Sequence, residues 1–236
     1  MNDIKQIWNL LPDPTRSRKQ FHRNAVMHRG IGSIPNINFK KERFWQDKSG
    51  LKLDYHSPKS FFETLLVNRR TRRVISDKVI ELKFLSKLLQ FCAGLSDKDN
   101  QFLTYPSPGA TYPTTLFIYW DNSPIECLYR YNPFNHSLEY YEIGQMANIK
   151  KVIGDKLLRD FPLIIYFASD YQLVEEKYGA MSYRLLNQEM GHIAQNISLY
   201  TEQEGYNSVC IGGFFQSYFQ EVVGEQYDLH YVMVVG

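Results

Sequence analysis

A lysine and a tyrosine that adjoin one another are the residues of this sequence with the most direct chemical meaning. Lys177 and Tyr178, called the lysine–tyrosine pair below, open the segment KYGAMSYR, which also contains Arg184. Beside a cavity, an amine and a phenol can act as base and acid in a proton transfer. Because most lysines lie at the surface without a chemical role, the pair by itself leaves both interpretations open.

A dense group of arginines indicates an anion site. Residues 68–73 read NRRTRR and form the arginine segment, with four guanidinium groups and one hydroxyl in six residues. Guanidinium forks and a hydroxyl bind a phosphate group well. The alternative is a solvated basic patch, but four arginines beside a short apolar helix favour anion binding.

Two short segments could bring backbone close to a flat ligand. Residues 105–113, YPSPGATYP, form the proline loop, which is stiffened by its prolines and permissive at Gly109. Gly212 and Gly213 follow the strand-like segment NSVCI. Paired glycines let a ligand approach the main chain. Neither segment matches GxGxxG or a P-loop, so an ordinary loop and an ordinary turn remain alternatives.

The metal-ligating residue types are scattered. Glu189 and His192 lie one helical turn apart, but no second histidine follows at helical spacing. We therefore expect no metal site, and a helix-surface or dimer-contact role for both residues. The three cysteines, far apart and without CxxC spacing, argue against a disulfide framework and fit a reducing, cytoplasmic setting; they are Cys92, Cys127 and Cys210.

Regular elements must position these residues. Apolar periodicity predicts helices that begin at Phe61 after an N-cap Ser60, and that cover IELKFLSKLLQFCAG, MANIKKVIGDKLL, Ser182 to Glu204, and SYFQEVV. Strand patterns occur in TTLFIYW, CLYRY, SLEYYEI, PLIIYFASD and LHYVMVV. Helices and strands that alternate irregularly around one sheet predict an α+β layered domain, spanning residues 58–236.

The first 57 residues differ from the rest. Residues 1–50 carry ten Lys or Arg against four Asp or Glu, and show little periodicity. They predict an extended basic N-terminal arm over residues 1–57, which could be solvated or could touch RNA, an acidic peptide or a protein partner. RNA is disfavoured because no stacking aromatics are interleaved with the charge. With no apolar run of about 18 residues and no signal core, we expect neither membrane insertion nor secretion.

Taken in order, these segments resemble the SagB-type branch of the nitroreductase family. Five stretches within residues 61–236 carry the resemblance: LLVNRRTRRVISDKVIELKFLSKLLQFCAG, TYPSPGATYP, KYGAMSYRLLNQEMGHIAQNISL, IGGFF and HYVMVVG. Their order is specific, although each stretch alone would be weak. The resemblance implies a nitroreductase-like layered α/β/α fold with a mixed, mainly antiparallel sheet and elements swapped between the subunits of a dimer.

The resemblance also implies a homodimer that binds FMN at two interface sites. The phosphate and ribityl chain would be held by the arginine segment, with Arg69, Arg70, Thr71 and Arg73 as the matching residues. Many nitroreductases have basic residues beyond their final strand, where this sequence has only Gly236, so Arg184 is a further candidate. The proline loop, with Pro106, Ser107, Pro108 and Gly109, would lie beside the flavin ring of the partner subunit. Gly212 and Gly213 would face the reactive flavin nitrogen.

The segment KYGAMSYR is similar to the Lys-Tyr motif of azoline dehydrogenases in thiazole/oxazole-modified peptide synthetases. This similarity makes Lys177 and Tyr178 the expected catalytic residues of an FMN-dependent dehydrogenase that converts peptide thiazolines or oxazolines to azoles. The implied partners are an azoline-containing precursor peptide and a cyclodehydratase complex. Two alternatives remain, namely an NAD(P)H-dependent nitro or quinone reductase and a flavin-binding scaffold subunit of a peptide-modifying complex.

Overall fold

The computed structural model describes His22, residues 50–141 and residues 146–236, with the side chains of residues 172 and 173 excepted. These residues form five α-helices and eight strands. The helices are α1 (Phe61–Asn68), α2 (Leu82–Ala93), α3 (Gln172–Tyr178), α4 (Ser182–Glu204) and α5 (Gln216–Val223). The strands are β1 (Leu95–Asp97), β2 (Phe102–Leu103), β3 (Thr114–Trp120), β4 (Leu128–Asn132), β5 (Ser137–Tyr141), β6 (Leu163–Ser169), β7 (Ser208–Ile211) and β8 (Asp228–Val235).

A six-stranded sheet in the order β5-β4-β3-β6-β8-β7 is the centre of the fold, and β1 and β2 form a separate hairpin. Every strand pair in the described residues is antiparallel. The β6 strand lies at the middle of the sheet and is buried along its whole length. This agrees with the continuous apolar run of its sequence, which is typical of a strand covered on both faces.

The sheet separates two apolar cores, because successive side chains of a strand point to opposite faces. In β6, Leu163, Ile165 and Phe167 join the core under helices α2 and α4. Ile164, Tyr166 and Ala168 join the other core, which is covered by α5 and two 3-10 segments. The structure therefore has the predicted α/β/α layers, with α4 as the long helix on one face.

One predicted helix is wrong. Residues 146–158, MANIKKVIGDKLL, do not form a continuous α-helix but two 3-10 segments, Met146–Val152 and Lys156–Asp160. Between them, Ile153 forms a β-bridge with Phe214, and the side chain of Asp155 accepts a hydrogen bond from the Leu157 N–H to start the second segment. Backbone pairing with another part of the chain overrides the local helical periodicity.

Helix α1 forms where its cap predicts. Ser60 and Glu63 make a reciprocal capping box, since the Glu63 N–H donates to Ser60 Oγ and the Ser60 N–H donates to Glu63. No residue of α1 is buried, however. Phe61 and Phe62 are 67% and 59% exposed, so the apolar side chains of this helix enter no core formed by the described residues.

The predicted arm, residues 1–57, lies outside the described residues except for His22 and residues 50–57. His22 is buried, and its Nε2 lies 2.5 Å from Oε1 of Gln216 on α5. Its ring also packs 5.0 Å from the ring of His230 on β8. None of the helices in these residues combines the length and the apolarity that crossing a bilayer requires.

Candidate active site

The proline loop and the lysine–tyrosine pair, more than sixty residues apart in sequence, are in contact. A Cβ placed on Gly109 would overlap Nζ of Lys177 and would lie 2.6 Å from the hydroxyl of Tyr178. The Lys177 amine also lies 5.4 Å from the centre of the Tyr178 ring. A side chain at position 109 would be strained at φ 56° and would displace the Lys177 amine, so an amine, a phenol and a stretch of bare backbone meet at one point.

The turn between α3 and α4 holds the lysine–tyrosine pair. Both residues end helix α3, and Gly179 follows with φ 54° and ψ −136°, a conformation that residues with a Cβ avoid. The hydroxyl of buried Ser182 donates to the Gly179 carbonyl at 2.7 Å and fixes the start of α4. Tyr178 packs against a small apolar cluster that includes Val174 and Leu186. Lys177 itself is exposed to solvent.

The proline loop has an unfavourable backbone. Gly109, Ala110 and Tyr112 all have positive φ, at 56°, 55° and 46°. A left-handed conformation costs an L-residue with a side chain roughly 1–2 kcal/mol. Ala110 and Tyr112 therefore need support from outside the loop, since such strain persists only where the surroundings determine it.

A buried glutamate of α4 provides that support. The Ser107 hydroxyl donates to Oε2 of Glu189 at 2.6 Å, and the Thr114 N–H donates to Oε1 at 3.3 Å. Ser107 Oγ in turn accepts from the Tyr112 N–H at 2.9 Å. Because the only hydrogen of the Ser107 hydroxyl is used by Glu189, Ser107 can offer a ligand its backbone and an oxygen lone pair.

The electrostatics of Glu189 are unusual for a glutamate. The residue is 1% exposed, and burial raises its pKa above the ordinary range, while the hydrogen bonds from Ser107 and Thr114 oppose that rise. Within the described residues no cation forms an ion pair with it. The predicted helix-surface or dimer-contact role is therefore wrong for Glu189, whereas His192 is exposed.

A signal for this burial existed in the sequence. Glu189 follows Leu186 by three residues and precedes Ile193 by four, so it lies on the apolar face of α4. A charged residue on such a face requires a partner. The partner could not be identified because Ser107 and Thr114 are distant in sequence and reach Glu189 only in the folded chain.

The arginine segment lies beside the other end of α4. Arg72 makes a two-pronged contact with Glu202, with distances of 2.5 and 3.1 Å. The Arg72 N–H also donates to the carbonyl of Ser208 on β7 at 3.4 Å. Pairing with Arg72 lowers the pKa of Glu202 below its ordinary range. The ion pair joins the segment to α4, and the backbone hydrogen bond joins it to the sheet.

The remaining arginines differ in what they can offer an anion. Arg70 turns back, and its Nη1 donates to the carbonyls of Val67 at 2.6 Å and Arg69 at 2.9 Å, so it caps α1. Arg69 and Arg73 make no ion pair within the described part of the chain. Arg73 and Thr71 are exposed and Arg69 is half-buried. Arg69, Thr71 and Arg73 are thus the members of the segment best placed to receive a phosphate.

Gly212 leaves open space next to the backbone. It follows β7, is exposed, and a Cβ placed on it would meet no atom within 4 Å. Gly213 is half-buried. β7 begins at Ser208, beside the arginine segment, and Gly212 follows four residues later, which places it about 13 Å from that point in extended chain. A flat group can approach the main chain there without displacing a side chain of the described residues.

The part of a single chain that the structure describes does not bring all these candidates together. The proline loop and the lysine–tyrosine pair lie near the start of α4, where exposed Arg184 also lies, and the arginine segment lies near its end. Glu189 and Glu202, which mark the two places, are separated by about 20 Å at 1.5 Å of helix rise per residue. Within the described residues no group of three His, Cys, Asp or Glu could bind a metal ion.

Comparison with known proteins assigns a family to this geometry. The model of the nitroreductase family matches residues 66–236, most of the chain. A protein of Methanocaldococcus jannaschii that is named as a nitroreductase is 28% identical over 169 residues, covering 68% of this chain and 83% of that protein.

Solved structures share the fold. One chain of the E. coli microcin synthetase McbBCD complex, solved with truncated pro-MccB17 bound, superposes with a TM-score of 0.69 and 18% identity, covering 99% of this chain and 96% of that chain. A nitroreductase-type protein from Desulfovibrio desulfuricans, solved in complex with FMN, has a TM-score of 0.52 and 12% identity, covering 76% and 87% of the two chains.

Proposed function

The chain belongs to the nitroreductase family, and we propose that it is an FMN-dependent dehydrogenase that oxidises thiazoline or oxazoline rings in a peptide to thiazoles or oxazoles. The observation that carries this proposal is the contact of Lys177 and Tyr178 with the proline loop at Gly109. A reductase that only receives hydride from a nicotinamide does not need an amine and a phenol at this place. Oxidation of an azoline does, because a ring proton must be removed.

The cofactor is FMN, as in the family, and the residues fit it. The phosphate requires cationic and hydroxyl donors, which Arg69, Arg73 and Thr71 supply. The ring requires backbone that it can approach closely, which the proline loop around Gly109 and the open main chain at Gly212 supply. When bound, FMN supplies a two-electron oxidant that accepts a hydride from the substrate.

The chain's own residues supply the proton chemistry. Formation of the aromatic ring removes one proton from the ring carbon next to the carbonyl and one hydride from the neighbouring ring carbon. The unprotonated amine of Lys177 takes the proton and becomes an ammonium group, and the hydroxyl of Tyr178, which meets the same point at Gly109, orients the amine or relays the proton. The exposure of Lys177 gives a peptide-borne ring access to the amine.

We further propose that two copies of this chain assemble each site. The two candidate regions lie about 20 Å apart along α4, and the ribityl chain of FMN is much shorter than this separation. A second copy packed against the first would bring the arginine segment of one subunit to the proline loop of the other. The exposed apolar side chains of α1, Phe61 and Phe62 among them, support this arrangement because burial in a dimer would remove them from water.

The substrate and its supplier follow from the chemistry. An azoline in a peptide arises when a Cys, Ser or Thr side chain cyclises onto the preceding carbonyl, so a cyclodehydratase must act first. The fold likeness to a chain of a microcin synthetase complex solved with a bound peptide supports a precursor peptide as substrate and a synthetase complex as the setting.

One experiment tests the activity. The visible spectrum of the purified protein is recorded without oxygen, before and after addition of an azoline-containing peptide. We expect a flavin spectrum that bleaches with the peptide, and a product lighter by two hydrogen atoms. Bleaching by NADPH and not by the peptide would instead identify a reductase, and a protein that binds FMN but is bleached by neither would identify a scaffold subunit.

Two variants locate the base. Lys177→Ala should retain FMN and lose turnover by about 10²- to 10⁴-fold, the usual contribution of a positioned base. Lys156→Ala removes an exposed lysine of the opposite layer and should leave turnover unchanged. Equal turnover in the Lys177→Ala variant and the wild type would show that Lys177 is not the base.

A further inference from the structure

Glu189 makes no hydrogen bond or ion pair with either member of the lysine–tyrosine pair, yet its hydrogen bonds lead to them in two steps. Its carboxylate accepts hydrogen bonds from Ser107 and Thr114, at the two ends of the strained part of the proline loop. Between these ends, Gly109 packs directly on the amine of Lys177 and the hydroxyl of Tyr178. The mechanism proposed above assigns no role to this buried carboxylate.

We propose that Glu189 is a positioning residue for the lysine–tyrosine pair: it fixes the proline loop, and the loop fixes the place of the Lys177 amine. The inference rests on the proposed function only for the identity of Lys177 as the base. The anchoring of the proline loop by Glu189 depends neither on the proposed reaction nor on a second subunit.

The backbone of the loop shows why an anchor is needed. Ala110 and Tyr112 are held at positive φ, which residues with a side chain leave when they are free to do so. The backbone–backbone hydrogen bonds of the loop, from the Ala110 N–H to Ser107 O and from the Thr111 N–H to Pro108 O, close single turns only. Glu189 connects these turns to the middle layer, because α4 is packed on the sheet through Met190 and Ile193.

The chemistry of a carboxylate suits this task. Its two oxygens accept from two donors at once, Ser107 Oγ at one oxygen and the Thr114 N–H at the other. Because the Ser107 hydroxyl donates its hydrogen to Glu189, its oxygen can accept a hydrogen bond from the Tyr112 N–H. This second hydrogen bond connects the two ends of the strained segment to each other. A glutamine offers one accepting oxygen and two donor hydrogens, so it can satisfy only one of the two donors.

A small displacement of the loop would change the site. Gly109 leaves no room for a Cβ against Lys177 and Tyr178, so movement of this backbone changes the surroundings of the amine directly. Misplacement of a catalytic group by about 1 Å can lower a rate by roughly 100-fold. Glu189 therefore acts on the rate through geometry.

The test uses four variants of the full chain: Glu189→Leu, Glu189→Gln, Ser107→Ala and the control Glu221→Gln. Glu221 is a carboxylate on α5 that accepts from Asn148 at 2.7 Å in the opposite layer. The first measurement is residue-resolved hydrogen exchange of the protein without substrate. We expect the Tyr112 and Thr114 amides to lose protection in Glu189→Leu, the Tyr112 amide to lose it in Ser107→Ala, and both to keep it in Glu221→Gln.

The second measurement is turnover with the azoline peptide. We expect kcat to fall about 10- to 100-fold in Glu189→Leu, with KM and the Kd of FMN changed less than threefold, and a smaller fall in Glu189→Gln, which keeps one accepting oxygen. Because both variants remove the hydrogen bond between Ser107 and Glu189, the loss of kcat in the Ser107→Ala/Glu189→Leu double variant should be smaller than the sum of the two separate losses, expressed as free energies. Rates that fall only in proportion to the loss of folded protein would contradict the inference.

Failure of this inference and failure of the proposed function give different results. A wild-type protein that does not oxidise the peptide refutes the proposed function. The amide exchange still tests whether Glu189 fixes the proline loop. Unchanged protection of Tyr112 and Thr114 in Glu189→Leu overturns the positioning role even where the enzyme oxidises the peptide. If Glu189→Leu does not fold, Glu189→Gln provides the amide readout: since glutamine satisfies only one of the two donors, the Tyr112 or the Thr114 amide should lose protection, and unchanged protection of both overturns the positioning role.

Discussion

Helix α4 holds one candidate functional segment near each end, and in both cases a glutamate makes the connection. Near its start, Glu189 holds the proline loop through uncharged donors in a place that water does not reach. Near its end, Glu202 holds the arginine segment through the guanidinium of Arg72, in a place open to solvent on the arginine side. The same residue type on the same helix therefore fastens two segments by different means.

The difference corresponds to the role proposed for each segment. A loop that supports a base needs one fixed position, and buried hydrogen bonds fix a position because leaving any one of them unmade is costly. A segment that receives a phosphate needs positive charge facing outward. The charge of Arg72 is paired with Glu202, whereas Arg69 and Arg73 form no ion pair within the described residues. One end of α4 is thus closed and specific, and the other is open and cationic.

Mixing subunits gives the largest expected effect, because it asks whether the two ends serve the same site. Lys177→Ala and the double variant Arg69→Ala/Arg73→Ala should each be inactive as homodimers. A heterodimer of the two, purified through two different tags, contains one intact site if each site takes its arginines and its lysine from different subunits. We expect about half of the wild-type turnover, since one of two symmetric sites is restored.

The same experiment can exclude the shared site. If each chain held a complete site, both sites of the heterodimer would remain defective and turnover would stay at the level of the homodimers. A protein that runs as a single chain on gel filtration would also contradict the arrangement. Wild-type subunits carrying the same two tags serve as the control for the exchange of tags.

Substitution of Gly109 by alanine tests the end of α4 that holds the proline loop, without changing the arginine segment. Gly109→Ala introduces strain at φ 56° and an overlap with the Lys177 amine, and we expect turnover to fall about 100-fold with FMN still bound. Gly224→Ala is the matched control. It has a φ of 92° and a close contact with a flexible side chain, that of Gln226, beyond the end of α5. It should lose stability without a comparable loss of turnover, and equal losses in both variants would contradict the specific role of Gly109.

The smallest expected effect is a difference between Glu189 and Glu202 in how their contributions to the stability of the protein depend on pH. Pairing lowers the pKa of Glu202 from 4.5, so its contribution to stability is complete above pH 4.5 and is lost as the pH falls through the lowered pKa. Burial raises the pKa of Glu189 from 4.5. Ionised Glu189 therefore costs stability, and this cost disappears as the pH falls from the raised pKa to 4.5.

Urea unfolding of the wild type, Glu202→Gln and Glu189→Gln across acid pH measures this contrast. We expect Glu202→Gln to be less stable than the wild type by about 0.5–1 kcal/mol at neutral pH, the usual value for a partly exposed ion pair, with the difference shrinking below pH 4.5. Relative to Glu189→Gln, the wild type should instead gain stability as the pH falls toward 4.5. Parallel curves for the two variants would mean that the environments of the glutamates do not differ as described.

Local patterns in the sequence were enough to predict most elements of the fold. The Ser60 cap begins α1, the apolar stripe of α2 is buried as predicted, and Gly205 ends α4 in a left-handed conformation. The alternation of side chains places β6 between two cores. These features depend on residues close in sequence, so one segment at a time reveals them. The predicted helix over residues 146–158 is wrong because Ile153 pairs with a distant residue.

By itself, the sequence determined which residues are candidates for chemistry: the arginine segment, the proline loop, the lysine–tyrosine pair and the two glycines. Their types decide this, since guanidinium, amine, phenol and bare backbone have fixed chemical uses. Only the tertiary structure decided their grouping. It joined Gly109 to Lys177, turned Glu189 inward to Ser107, and placed Arg72 at the far end of α4. The physical reason is that these contacts form between segments distant in the chain, where they depend on packing of the whole sheet and not on local periodicity.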